Sequence, residues 1–157
     1  MEGIMFTPFT IEQMDKQLAF TVRTRSPQKD LGNVIGKTYN EIMTYMSSIN
    51  EAPTGLPFIG YFNMDMDDLD IEIGMISTKT LPNKDPMHMS EISEGKFVVT
   101  VHTGPYETLV QTYNEMMKWI GEQGLDASGI GYELYLNAPG QVADEELETK
   151  ILMGLKG

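Results

Sequence analysis

The nine residues from Thr38 to Met46 (TYNEIMTYM) return 74 positions later as Thr112 to Ile120 (TYNEMMKWI). The same offset carries Tyr61-Phe62-Asn63 onto Tyr135-Leu136-Asn137, and Glu72 onto Glu146. A fixed internal period constrains a fold more than any single motif, because one supersecondary unit is then written twice. Two copies of an αβ unit packed about a pseudo-twofold axis leave a cleft between them. The informative positions are those where the copies disagree: Ile59 of the first copy becomes Glu133 in the second, so a carboxylate stands on one side only.

Local patterning gives the content of each copy. Phe9 to Met14 and Leu18 to Arg25 read as strands, with Phe20 and Val22 alternating with Thr21 and Arg23. From Leu31 to Asn50 the apolar residues Leu31, Ile35, Tyr39, Ile42, Met46 and Ile49 fall at helical spacing, and Pro53-Thr54-Gly55 breaks the chain. Phe58 to Asn63 and Leu69 to Ser77 follow as strands. In the second half Lys96 to His102 is a strand, and Gly104-Pro105 opens a helix with proline at its first position and Glu107 in its first turn. Tyr106, Leu109, Tyr113, Met116 and Ile120 make its apolar stripe, Gly124 stops it, and Tyr132 to Leu136 and Glu146 to Met153 are the last strands. Pro27 matches Pro105 at an offset of 78, which predicts four extra residues between strand and helix in the first half.

These elements predict an α+β protein in which one domain, residues 1–157, is built from tandem βαββ repeats, about 9–78 and 88–155, joined by a linker at 79–87. The sheet is expected to be largely antiparallel, with two long helices on one face and a ligand cleft between the repeats. An extra strand can precede each unit. Neither half is large enough to bury its apolar face alone.

Composition narrows the function. A net charge of −12, with only 11 Lys and Arg and no basic stripe, argues against a nucleic-acid ligand. No apolar run is long enough to span a bilayer and no basic-then-apolar leader is present, so no membrane partner and a cytoplasmic location are expected. The lack of cysteine removes disulfides, a thiol nucleophile and thiolate metal sites. Asp65, Asp67, Asp68 and Asp70 lack the glycine and terminal glutamate of a calcium loop, and the two histidines, His88 and His102, make no metal triad. Neither a metal nor a cofactor is expected, and His102 reads as a structural hydrogen bond.

Three motifs in order carry a resemblance: His102-Thr103-Gly104-Pro105-Tyr106-Glu107, then Trp119-Ile120 with Gly124-Leu125, then Tyr132-Glu133-Leu134-Tyr135-Leu136-Asn137. With Leu69-Asp70-Ile71-Glu72-Ile73-Gly74 in the first half, the chain resembles the GyrI-like small-molecule-binding family from about Phe9 to Leu155. That family includes the effector-binding domains of AraC-type and MerR-type multidrug-sensing regulators. The resemblance implies two βαββ-type repeats around a ligand cleft. It also implies for Glu133 the role of the acidic residue that meets cationic, lipophilic ligands, and for Tyr39 that of a pocket aromatic. About eight residues precede the first strand, too few for a helix-turn-helix, so a standalone binding domain is expected.

Alternation puts Glu133 and Tyr135 on one strand face and Tyr132, Leu134 and Leu136 on the other. A carboxylate among aromatic rings suits an organic cation; the alternative is an exposed glutamate on an edge strand. Tyr39, Tyr61, Tyr113, Trp119 and Tyr135 are the candidate walls, with a plain core role as the alternative for each. Thirteen methionines would help a pocket accept several shapes. The leading expectation is a protein that sequesters or senses small, apolar, cationic compounds. The first alternative is a hydrolase of electrophilic, cyclopropane-type compounds, with Glu133 as base and a tyrosine as acid. The second is a gyrase-inhibitor-like module acting on a protein partner.

Overall fold

The computed structural model describes residues 5–156. Its strands are β1 (Thr10–Met14), β2 (Gln17–Ser26), β3 (Pro57–Tyr61), β4 (Leu69–Ile76), β5 (Met87–Ile92), β6 (Gly95–Thr103), β7 (Ala127–Tyr135) and β8 (Glu148–Leu155), and its helices are α1 (Leu31–Ser48) and α2 (Leu109–Glu122). The α+β class and the two helices agree with the sequence pattern. All the strand pairs described below are antiparallel. Among the described residues no helix is long and apolar enough to cross a membrane.

The chain divides into two compact units, one of residues 15–94 and the other of residues 1–14 with 95–157. In the unit of residues 15–94 the strand order is β3-β4-β2-β5, and α1 packs on one face. Ile42 and Met46 of α1 meet Phe20, Val22, Met75 and Met87 from the strands, together with Leu81. In the other unit the order is β1-β6-β8-β7, and Leu109, Met116 and Ile120 of α2 meet Val98, Ile151 and Met153. The helical stripes thus bury the residues that the 3.6-residue spacing selects, and each sheet contributes alternate residues of its strands.

The extra strands are exchanged between repeats. β1 precedes β2 in the chain but pairs with β6, while β5 precedes β6 but pairs with β2. β5 begins at the last residue of the expected linker and runs into the start of the expected second repeat, where Met-His-Met-Ser-Glu-Ile gives too weak an alternation to announce a strand.

Three local expectations are revised. The four extra residues of the first half lie inside α1, which has 18 residues against 14 in α2. Four residues are close to one helical turn, so both helices keep their buried faces in phase: Thr38, Ile42 and Met46 match Thr112, Met116 and Ile120. Pro105 does not begin α2; extended at φ −59° and ψ 150°, it leads into a 3₁₀ turn at Tyr106–Thr108, and Pro27 does the same before Gln28–Asp30. Finally, Glu72 does not correspond to Glu146. Ile59 pairs with Ile73 and Glu133 with Ile151, so β4 and β8 match at an offset of 78 and the counterpart of Glu72 is Lys150. Glu146 instead sits in a 3₁₀ turn of the β7–β8 connection.

That connection is bracketed alike in both copies. Asn63 accepts from Asp70 N and donates to Asp68 O; Asn137 accepts from Glu148 N and donates to Glu146 O. One asparagine thus closes hairpin loops of different length by satisfying the backbone groups at their base.

Candidate functional site

The β7–β8 register fixes where Glu133 points. It lies opposite Ile151, which is packed against α2, so the Glu133 side chain enters the layer between strand and helix. There it is buried, with 6% of its surface exposed, which removes the alternative of a solvated edge glutamate. Tyr113 of α2 donates its hydroxyl to Oε2 at 2.5 Å, and Tyr135, two residues along β7 on the same face, donates to Oε1 at 2.7 Å. Bonds from a hydroxyl to an ionised carboxylate are among the stronger hydrogen bonds, and here they offset part of the cost of burying the charge.

Tyr106, from the turn that precedes α2, places its ring edge-on to Tyr135, with centroids 5.7 Å apart and planes at 70°. Burial pushes the Tyr106 hydroxyl above its ordinary value, and the negative charges of Glu133 and Asp144 push the same way. The site is therefore one carboxylate, two phenols bonded to it, and a third phenol within its field. In the sequence Tyr106 reads only as part of the apolar stripe of the second helix. Its place in the His-Thr-Gly-Pro-Tyr-Glu motif was the available signal.

Trp119, the remaining candidate in this unit, goes elsewhere. Trp119 lies on a different side of α2 from Tyr113, because six residues turn a helix well past one revolution; it packs against the Phe9 ring at 5.7 Å. Tyr39, the repeat counterpart of Tyr113, belongs to the unit of residues 15–94. With Ile59 in place of a glutamate, its hydroxyl turns to backbone, 2.9 Å from both Phe58 O and Gly74 O. Tyr61 ends β3 on the face turned to α1 and is half-buried. The methionines of the acidic turn, Met64 and Met66, are exposed. Among the described residues no group of three or more His, Asp or Glu side chains converges as a metal centre would need.

His102 is buried at the end of β6 and held at both ring nitrogens. Thr108 Oγ1 donates to Pro105 O, so Nε2, 2.9 Å from Thr108 Oγ1, must be the donor there; Nδ1 then accepts from Thr112 Oγ1 at 2.6 Å. This describes a neutral ring, and burial lowers its pKa from the ordinary 6.5. The unfolded chain takes up this proton more readily than the folded one. The stability His102 contributes is thus complete above pH 6.5 and is lost as pH falls from there toward the folded value. The expected slope approaches about 1.4 kcal/mol per pH unit within that window, absent in His102→Gln. Denaturant titrations of both proteins on either side of pH 6.5 measure it.

No curated protein matches the chain by sequence. Solved structures match in fold. EcmrR, determined by cryo-electron microscopy in complex with DNA, is 17% identical with a TM-score of 0.78; the match covers 97% of this chain but 58% of EcmrR. SAV2435 bound to tetraphenylphosphonium is 13% identical with a TM-score of 0.70, covering 96% of this chain and 95% of that one. A hydrolase from Listeria innocua is 16% identical with a TM-score of 0.67, covering 94% and 91%. The model of the GyrI-like small molecule binding domain matches residues 7–156, nearly the whole chain, and the protein belongs to that family.

Proposed function

We propose that this protein binds small lipophilic organic cations at Glu133, with Tyr113, Tyr135 and Tyr106 as the surrounding rings. The observation that carries the reading is the buried carboxylate held between two phenols. A carboxylate attracts a cation by its charge, and the electron-rich faces of the rings attract the same charge by about 0.5–2 kcal/mol each. The fold relative SAV2435 was solved with tetraphenylphosphonium, a ligand of this class. The family model gives small-molecule binding in general; the preference for cations rests on Glu133.

Isothermal titration with a lipophilic cation, its neutral isostere and a lipophilic anion tests the reading. The cation is expected to bind at least about tenfold more tightly than the neutral compound, a difference of about 1.4 kcal/mol. Equal affinities for cation and neutral compound would overturn it.

One observation favours a second reading, hydrolysis of electrophilic compounds. Two phenol hydroxyls lie at 2.5 and 2.7 Å from one carboxylate, within the reach that a general acid and base require. Conversion of an electrophilic, strained-ring ligand to a new product during the same titrations would support it.

A further inference from the structure

A second buried carboxylate lies in the unit of residues 15–94, on the sheet face turned away from α1. Phe20 and Met75 pair across β2 and β4 and point to the helix, so their neighbours Thr21, Glu72 and Gly74 point the other way; Ser90 of β5, opposite Ala19, joins them. Glu72 is 3% exposed. Its Oε2 accepts from Thr21 Oγ1 at 3.0 Å and from Ser90 Oγ at 2.6 Å, while Oε1 is buried with no hydrogen-bond donor in reach. No ion pair forms with it among the described residues. Arg23, opposite it in register, instead makes two bonds to Asp70, at 2.7 and 2.9 Å.

A buried charge without a partner is costly, and the missing partner must be cationic or a strong donor. The surroundings set its size and charge. This face is closely packed beside Glu72, since a methyl carbon added at Gly74, the adjacent position on it, would lie 2.1 Å from Phe20 O, and close packing favours a small cation over a bulky organic one. The donors are hard oxygens: two from one carboxylate, with the free lone pairs of two hydroxyls. One carboxylate supplies a single negative charge, which balances a singly charged ion but leaves a divalent ion such as calcium uncompensated in a buried site.

We propose that Glu72, Thr21 and Ser90 form a buried site for one monovalent metal cation, sodium or potassium. Glu72 lies in the unit of residues 15–94 and Glu133 in the other, and metal binding is inferred from Glu72, Thr21 and Ser90 alone. It ties β5, the exchanged strand, to β2 and β4 through a shared ion, so occupancy stabilises the unit of residues 15–94.

Thermal unfolding of the full chain in choline chloride, replaced stepwise by sodium or potassium chloride at constant ionic strength, tests this. One of the two metals should raise the midpoint saturably, by about 3–6 °C at ten times its dissociation constant. Glu72→Gln should lose the metal-specific rise, and Ser90→Ala should need more metal to reach it. Equal midpoints in all three salts would overturn the site, as would a rise that survives Glu72→Gln. Should Glu72→Gln not fold, an unaltered metal response in Ser90→Ala overturns it instead.

Discussion

Gly74→Ala is expected to cost about 3 kcal/mol or more of folding stability, a large share of the 5–15 kcal/mol typical of a domain. The added carbon would sit 2.1 Å from Phe20 O and 2.7 Å from Thr21 Cα. Both are backbone atoms in the centre of the paired β2 and β4, so relief requires the strands to separate rather than one side chain to turn. Separation would also disturb the carbonyl of Gly74, which accepts from Tyr39. Urea unfolding should show a lower midpoint with an unchanged slope if the native state stays compact. Gly36→Ala is the control: it lies in α1 with nothing within 4 Å of the added carbon, and a gain of about 0.5–1 kcal/mol is expected. A mild effect at Gly74 would mean that β2 and β4 are less closely apposed than described.

The second large effect is on ligand affinity. Glu133→Gln keeps the shape and most of the hydrogen-bonding capacity of the side chain but removes its charge. Truncating one member of a buried charge pair costs about 2–5 kcal/mol; at the lower half of that range the cation affinity should fall roughly 30- to 300-fold. Binding of the neutral isostere should change little, since the rings of Tyr113, Tyr135 and Tyr106 remain. The difference between the two ligands, measured by calorimetry on both proteins, isolates the charge from the packing. Parallel losses for both ligands would assign Glu133 a structural role; no loss for either would place the ligand elsewhere.

The period of the sequence made the repeats and both helices readable and singled out Glu133 as a difference between copies, but the pattern left open whether Glu133 is buried. What failed were inferences that needed chain geometry. A single offset of 74 aligned Glu72 with Glu146, whereas the chain drops from 78 to 74 within α1 and returns to 78 in the longer β7–β8 connection. The single offset therefore makes Glu72 one of a matched pair, whereas it is a buried carboxylate with Lys150 as its counterpart. Trp119 and Tyr113 share the repeated segment, but their angular positions on α2 send them to different neighbours. Tyr106 reaches Tyr135 only because the chain reverses through the turn before α2, which no spacing announces. Partner choice for β1 and β5 is likewise invisible in a strand's own sequence: alternation selects a face, not a neighbour.

That choice of partners has a consequence for how such a chain comes into being. A lone repeat of strand, strand, helix, strand, strand has its first strand paired not with its own second strand but with that of the other copy. Produced singly, it would complete its sheet only by borrowing from a second molecule, which is the geometry of a domain-swapped dimer. The present chain reads as that dimer joined end to end by residues 79–86. Cut there, the two fragments would each carry the missing edge of the other, and the pair, rather than either piece, would be the folding unit.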